Sequence, residues 1–109
     1  MDDAGSKNGA SRYVEPSDDL GKPTLSGFLN GLAAETMIHL GYFENPMSGE
    51  RSLNLPLARF TIDLIEMLSE KTRGSQTAEE SQLFEAILYT LRMRYLDAEK
   101  ANPKTDNQP

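Results

Sequence analysis

The chain has 109 residues, of which 38% are hydrophobic, 7% aromatic and 26% charged, and its net charge is -6. This is room for one small domain, and the acidity argues against nucleic acid as a partner, since that affinity rests on phosphate neutralisation by Lys and Arg. Cysteine is absent and His39 is the one histidine, which excludes disulfides, thiolate catalysis, Cys-based metal sites and, within a single chain, Ser-His or multi-His chemistry. No apolar run approaches the ~18 residues of a membrane span, and Met1-Asp2-Asp3 is not a basic signal-peptide start, so a cytoplasmic chain without membrane contact is expected.

Residues 1–23 are dominated by Gly, Ser, Asp, Asn and Pro, with Tyr13, Val14 and Leu20 isolated among them. Such a segment buries too little apolar surface to offset its ordering entropy, so it is expected to be a disordered tail, and 103–109 reads the same way. The tail 1–23 carries -2, residues 24–99 carry -5 and residues 100–109 carry +1. The acidity therefore belongs mainly to the domain expected over 24–102.

That domain is expected to be all-α, with three helices. The first spans about Leu25 to Leu40, with Thr24 as N-cap and Gly41 in the left-handed position after the last turn. Leu25, Phe28, Leu29, Leu32, Ala33, Met37 and Leu40 fall on one half of its circumference and form the expected core stripe. The Asn45-Pro46 and Ser48-Gly49 turn dipeptides then predict a folded loop over 42–52.

The second helix starts near Pro56, capped by Asn54 or Leu55, and ends before Gly74. Its apolar positions, from Leu57 and Ala58 through Phe60, Ile62, Leu64, Ile65, Met67 and Leu68, cover roughly 220° of the wheel. A helix that apolar is expected to be the central one, packed on more than one side. The third helix has a capping box at its start, Thr77-Ala78-Glu79-Glu80, and stops at Asn102-Pro103. Its stripe is Leu83, Phe84, Ile87, Leu88, Leu91 and Tyr95.

The strings Ile38-His39-Leu40-Gly41, Asn54-Leu55-Pro56-Leu57-Ala58, Glu66-Met67-Leu68 and Leu91-Arg92-Met93-Arg94-Tyr95, with Asn45-Pro46 and Gly49-Glu50 in the loop, resemble the short proteins grouped as domain of unknown function 1844. The resemblance runs from Phe28 to Tyr95 and implies a bacterial, soluble, helical protein without an assigned activity. One departure lies between the second and third helices. Where the family tends to have Gly-Asn-Leu-Thr, this chain has Gly74-Ser75-Gln76-Thr77, which removes an apolar side chain from the turn.

Chemistry-bearing residues are sparse. His39 sits at the border of the first stripe, near a helix C-terminus that suits a partly positive imidazole. Asp63, Glu66 and Glu70 share a polar strip with Arg59, which reads as a solvated face with weak ion pairs such as Arg59–Asp63. Arg92 and Arg94 project roughly 160° apart, a poor footprint for phosphate, and Arg92 is expected to pair with a carboxylate of another helix. No phosphate-cradling glycine loop and no nucleophile elbow is present. The sequence thus nominates no catalytic residue, cofactor or metal.

Two second faces stand out instead. The first helix carries Gly27, Gly31, Ala34 and Ile38 opposite its stripe, and a Gly-x-x-x-Gly pair usually has a packing reason because Gly costs roughly 1 kcal/mol against Ala in a helix. The third carries Tyr89, Met93 and Leu96 roughly 170° from its stripe, where exposure would leave an apolar patch. These seven residues are the expected interface. The functional expectation is a self-associating module, a homodimer first and one with a further protein partner second. The alternative is a ligand-binding or enzymatic bundle with His39, Arg92 or Tyr95 on the wall of an inter-subunit pocket.

Overall fold

The computed structural model describes residues 21–102; residues 1–20 of the tail expected over 1–23, and the tail expected over 103–109, lie outside them. Among the described residues are three α-helices and no strand: α1 (Leu25–His39), α2 (Leu55–Lys71) and α3 (Ala78–Ala101), with a short 3-10 turn at Arg73–Ser75. The all-α expectation holds.

Each helix starts where its cap dictates. Thr24 accepts from the Gly27 N–H at 2.9 Å and Asn54 from that of Leu57 at 3.1 Å. The Thr77 hydroxyl accepts from the Glu80 N–H at 3.0 Å, while the Glu80 carboxylate accepts from the Thr77 N–H at 2.8 Å, so the box is closed in both directions. At the end of α1, Gly41 adopts φ 85°, which lets Tyr42 N–H reach Met37 C=O and Gly41 N–H reach Ile38 C=O, both at 3.0 Å. This is the paired hydrogen bonding of a Schellman end. The following loop is folded around Asn45, whose side chain accepts from Met47 N–H at 2.8 Å. The loop closes where Asn54 N–H donates to His39 C=O at 2.7 Å.

The α2–α3 turn explains the departure from the family pattern. Gln76 is half-buried, and its amide donates to Ser69 C=O at 2.9 Å and Thr72 Oγ1 at 3.0 Å while accepting from Ser81 Oγ at 2.6 Å. The turn is thus held by a satisfied polar clasp in which the half-buried amide has partners for both its N–H and its C=O.

The main core joins Leu29 and Leu32 of α1, Ile62 and Ile65 of α2, and Phe84, Leu88 and Leu91 of α3. A smaller cluster, Leu40, Leu55, Ala58 and Ala98, seals the end where the loop enters α2. Between α1 and α2 sits a buried polar pair: Thr36 Oγ1 lies 2.8 Å from Thr61 Oγ1. The α3 stripe packs as expected, and α2 touches both other helices.

One expectation about packing needs correction. Phe28 was placed in the α1 stripe but is 54% exposed. It sits at the edge of the stripe, about 110° from the direction of Leu29 and Leu40, where neither neighbouring helix reaches. As the central helix, α2 packs on both α1 and α3, but they do not cover its whole apolar arc: Ala58, Ile62 and Ile65 are buried, whereas Leu57, Phe60 and Met67 remain exposed.

Candidate functional site

The α2–α3 hairpin runs antiparallel, and 100° steps along each helix turn Arg59, Asp63 and Glu66 of α2 toward Arg92, Leu96 and Glu99 of α3. These side chains line an open groove of about 450 Å³ whose floor includes the buried Ile62. Arg92 reaches across to Glu66 at 3.2 Å, the interhelical pairing expected for it. Both partners are half-exposed, so water and salt screen the pair and its worth is below about 1 kcal/mol. Arg59 does not close on Asp63. Its guanidinium lies over the Tyr95 ring, 5.9 Å from the centroid, near the outer limit of a cation–π contact. Tyr95 first, then the Asp63 and Glu99 carboxylates, hold the Arg59 pKa above its ordinary value, so the group stays charged.

The remaining candidates are placed elsewhere. His39 ends α1, with Nε2 3.3 Å from Glu35 Oε2 one turn earlier, and it is not among the residues lining the groove. The wall imagined from His39, Arg92 and Tyr95 is therefore divided, since the groove brings together only the last two. Arg94 faces away and lies over the Tyr42 ring at 5.6 Å, bracing the loop against α3. Among the described residues, no group of three or more His, Asp or Glu side chains could hold a metal ion. No described helix is long and apolar enough to cross a membrane.

The seven interface candidates separate into two surfaces. On α1, Gly27, Gly31 and Ala34 are exposed and Ile38 is half-buried. A Cβ on Gly27 would meet Thr24 Oγ1 at 3.1 Å, so the N-cap alone gives this glycine a local reason, whereas nothing lies within 4 Å of a Cβ on Gly31. Beside them, Ala33, Ala34, Met37, Ala86 and Ile87 help to line an apolar groove of about 360 Å³ between α1 and α3. On α3, Tyr89, Met93 and Leu96 are 68%, 42% and 46% exposed.

Sequence reasoning missed Leu57, Phe60 and Met67 as surface residues. A signal was present in their spacing: with Leu64 they recur at intervals of three, four and three, the seam of a helix that meets another helix. Their place within a wide apolar arc points instead to the central helix, which α2 is, and hides which part of that arc stays exposed.

Fold and surface together define a small three-helix domain with an open charged groove between α2 and α3 and several exposed apolar side chains. Residues 22–97 match the family model described as "Domain of unknown function (DUF1844)", and the chain belongs to that family. Neither the curated proteins nor the solved structures contain a match to it.

Proposed function

We propose that the protein is a self-associating helical module, a homodimer that serves as an interaction or accessory unit. One observation carries the reading: nine large hydrophobic side chains are exposed on a described domain of only 82 residues. Scattered single exposures are ordinary, but here six of the nine, Leu57, Phe60, Met67, Tyr89, Met93 and Leu96, lie on the hairpin of α2 and α3. Size supports the same reading, because one core at this length rarely supplies more than about 3–5 kcal/mol. A bacterial, cytoplasmic setting and a further protein partner belong to the proposal, as the family resemblance and the open surface suggest.

Gel filtration coupled to light scattering tests it. The expected mass is near twice 12.1 kDa at micromolar concentration. A monodisperse monomer under those conditions would refute the reading.

A further inference from the structure

We infer that the surface of pairing is the outer face of the α2–α3 hairpin, the side turned away from α1, and that its occupant is the same face of a second copy. This rests on the self-association proposed above and specifies where it takes place. Viewed along the helices, α1 lies beneath the hairpin, reached by Thr61 of α2 and Ile87 of α3. Phe60 and Met67 lie about 100–120° around α2 from Thr61, and Tyr89, Met93 and Leu96 about 120–180° around α3 from Ile87, so that the charged groove runs between two apolar ridges.

Area separates this face from its rival. With roughly 200 Å² for each fully exposed large side chain, the five ridge residues at their observed exposures present about 500–550 Å² per copy. Two copies joined by a two-fold axis would therefore cover about 1,000–1,100 Å² on full burial of these side chains, before the groove walls are counted, which reaches the ~1,000 Å² that a specific interface needs. The α1 face is built of Gly27, Gly31 and Ala34, whose small side chains present far less, and of Ile38, which is half-buried.

Charge points to a second copy as the partner. The chain as a whole repels itself at -6. The groove, however, carries two arginines against three carboxylates, Asp63, Glu66 and Glu99. A face with both signs in near balance can be turned onto itself without strong repulsion. It selects neither a uniformly basic nor a uniformly acidic partner.

Charge insertion on each ridge, with an α1 control, tests the assignment. Phe60→Glu and Met93→Glu should each weaken dimerisation by roughly a hundredfold or more, the equivalent of losing the burial of one large side chain in each copy. Ala34→Glu should leave the dimer intact. Circular dichroism should show unchanged helicity for all three, since each position is exposed. The natural absence of cysteine permits a second measurement: Leu96→Cys should be cross-linked to a covalent dimer by a short bismaleimide, and Met47→Cys, on the loop, should not. A wild-type monomer would remove the self-association reading itself. A wild-type dimer that dissociates with Ala34→Glu but not with the ridge variants, or that cross-links through Met47→Cys and not Leu96→Cys, would overturn the choice of face alone.

Discussion

The buried threonine pair between α1 and α2 makes a quantitative prediction about how the domain is held in register. Thr36 Oγ1 lies 2.8 Å from Leu32 C=O and 2.8 Å from Thr61 Oγ1, and Thr61 Oγ1 lies 2.9 Å from Ala58 C=O. Two hydroxyls have two protons, so three contacts share them, and either hydroxyl can fall back on its own helix when the other is removed. Neither single alanine variant therefore leaves an orphaned buried donor. Thr36→Ala or Thr61→Ala should lose one interhelical hydrogen bond, about 1 kcal/mol net, and one buried methyl, about 0.8 kcal/mol, and regain a few tenths from helix propensity. The net cost is about 1–2 kcal/mol each, or roughly 4–16 °C in Tm for a domain of this size.

The double variant removes the shared bond only once, so it should be less destabilised than the sum of the singles by about 1 kcal/mol. Urea denaturation followed by circular dichroism, at one fixed protein concentration, measures all four corners of this cycle. Additivity within about 0.3 kcal/mol would refute the reasoning, because it would mean that the two hydroxyls do not meet in solution.

Other substitutions probe the ends and the groove. Thr77→Ala breaks the reciprocal cap of α3 and should cost about 0.5–2 kcal/mol, read as a lower urea midpoint at unchanged slope. Gly41→Ala forces a side chain into φ 85°, with its Cβ 3.4 Å from Ser52 C=O, and should destabilise by at least about 1 kcal/mol. Gly31→Ala, in open space at an exposed helical position, should instead stabilise by about 0.5–1 kcal/mol in thermal melts. Glu66→Gln should change stability by less than about 1 kcal/mol, and the difference from wild type should shrink in high salt, since the Arg92 pair is half-exposed.

Local chemistry was the legible part of this fold. Thr24, Asn54 and Thr77 announce helix starts because a side-chain oxygen beside an unpaired backbone N–H is a contact between residues three apart, and Gly41 announces an end because a left-handed residue does the same for carbonyls. The α3 stripe was legible for a similar reason: it faces two helices at once and needs no knowledge of their angle. What could not be read was how far each neighbour wraps around α2 and α1. Phe28, Phe60 and Met67 are apolar like the core, and only the positions of the other two helices decide that they stay outside. The groove was half legible. Arg92 needed a carboxylate from elsewhere, but that it is Glu66 follows from the antiparallel register of the hairpin, which the Gln76 clasp helps to fix. Arg59 went to Tyr95 rather than to Asp63 on its own helix, a choice between neighbours that spacing alone leaves open.

The wide apolar arc of α2 links stability to assembly. A helix that served only a three-helix core would gain solubility from polar residues at 57, 60 and 67, at no cost to Ile62 or Ile65 behind them. Keeping Leu, Phe and Met there leaves the isolated domain with a modest core and an adhesive surface, a combination that is favourable when the surface is covered. If the hairpin faces pair as proposed, pairing is linked to folding and stability depends on concentration. For a two-fold dimer, each tenfold dilution removes about 1.4 kcal/mol per dimer, or about 0.7 kcal/mol per chain, and should lower Tm by roughly 3–6 °C. Phe60→Glu should abolish that dependence and melt at the temperature that the wild type approaches on dilution. A Tm that stays constant over a hundredfold range of wild-type concentration would show that the exposed face contributes nothing to the fold, and that the core of Leu29, Ile65, Phe84 and Leu91 suffices without it.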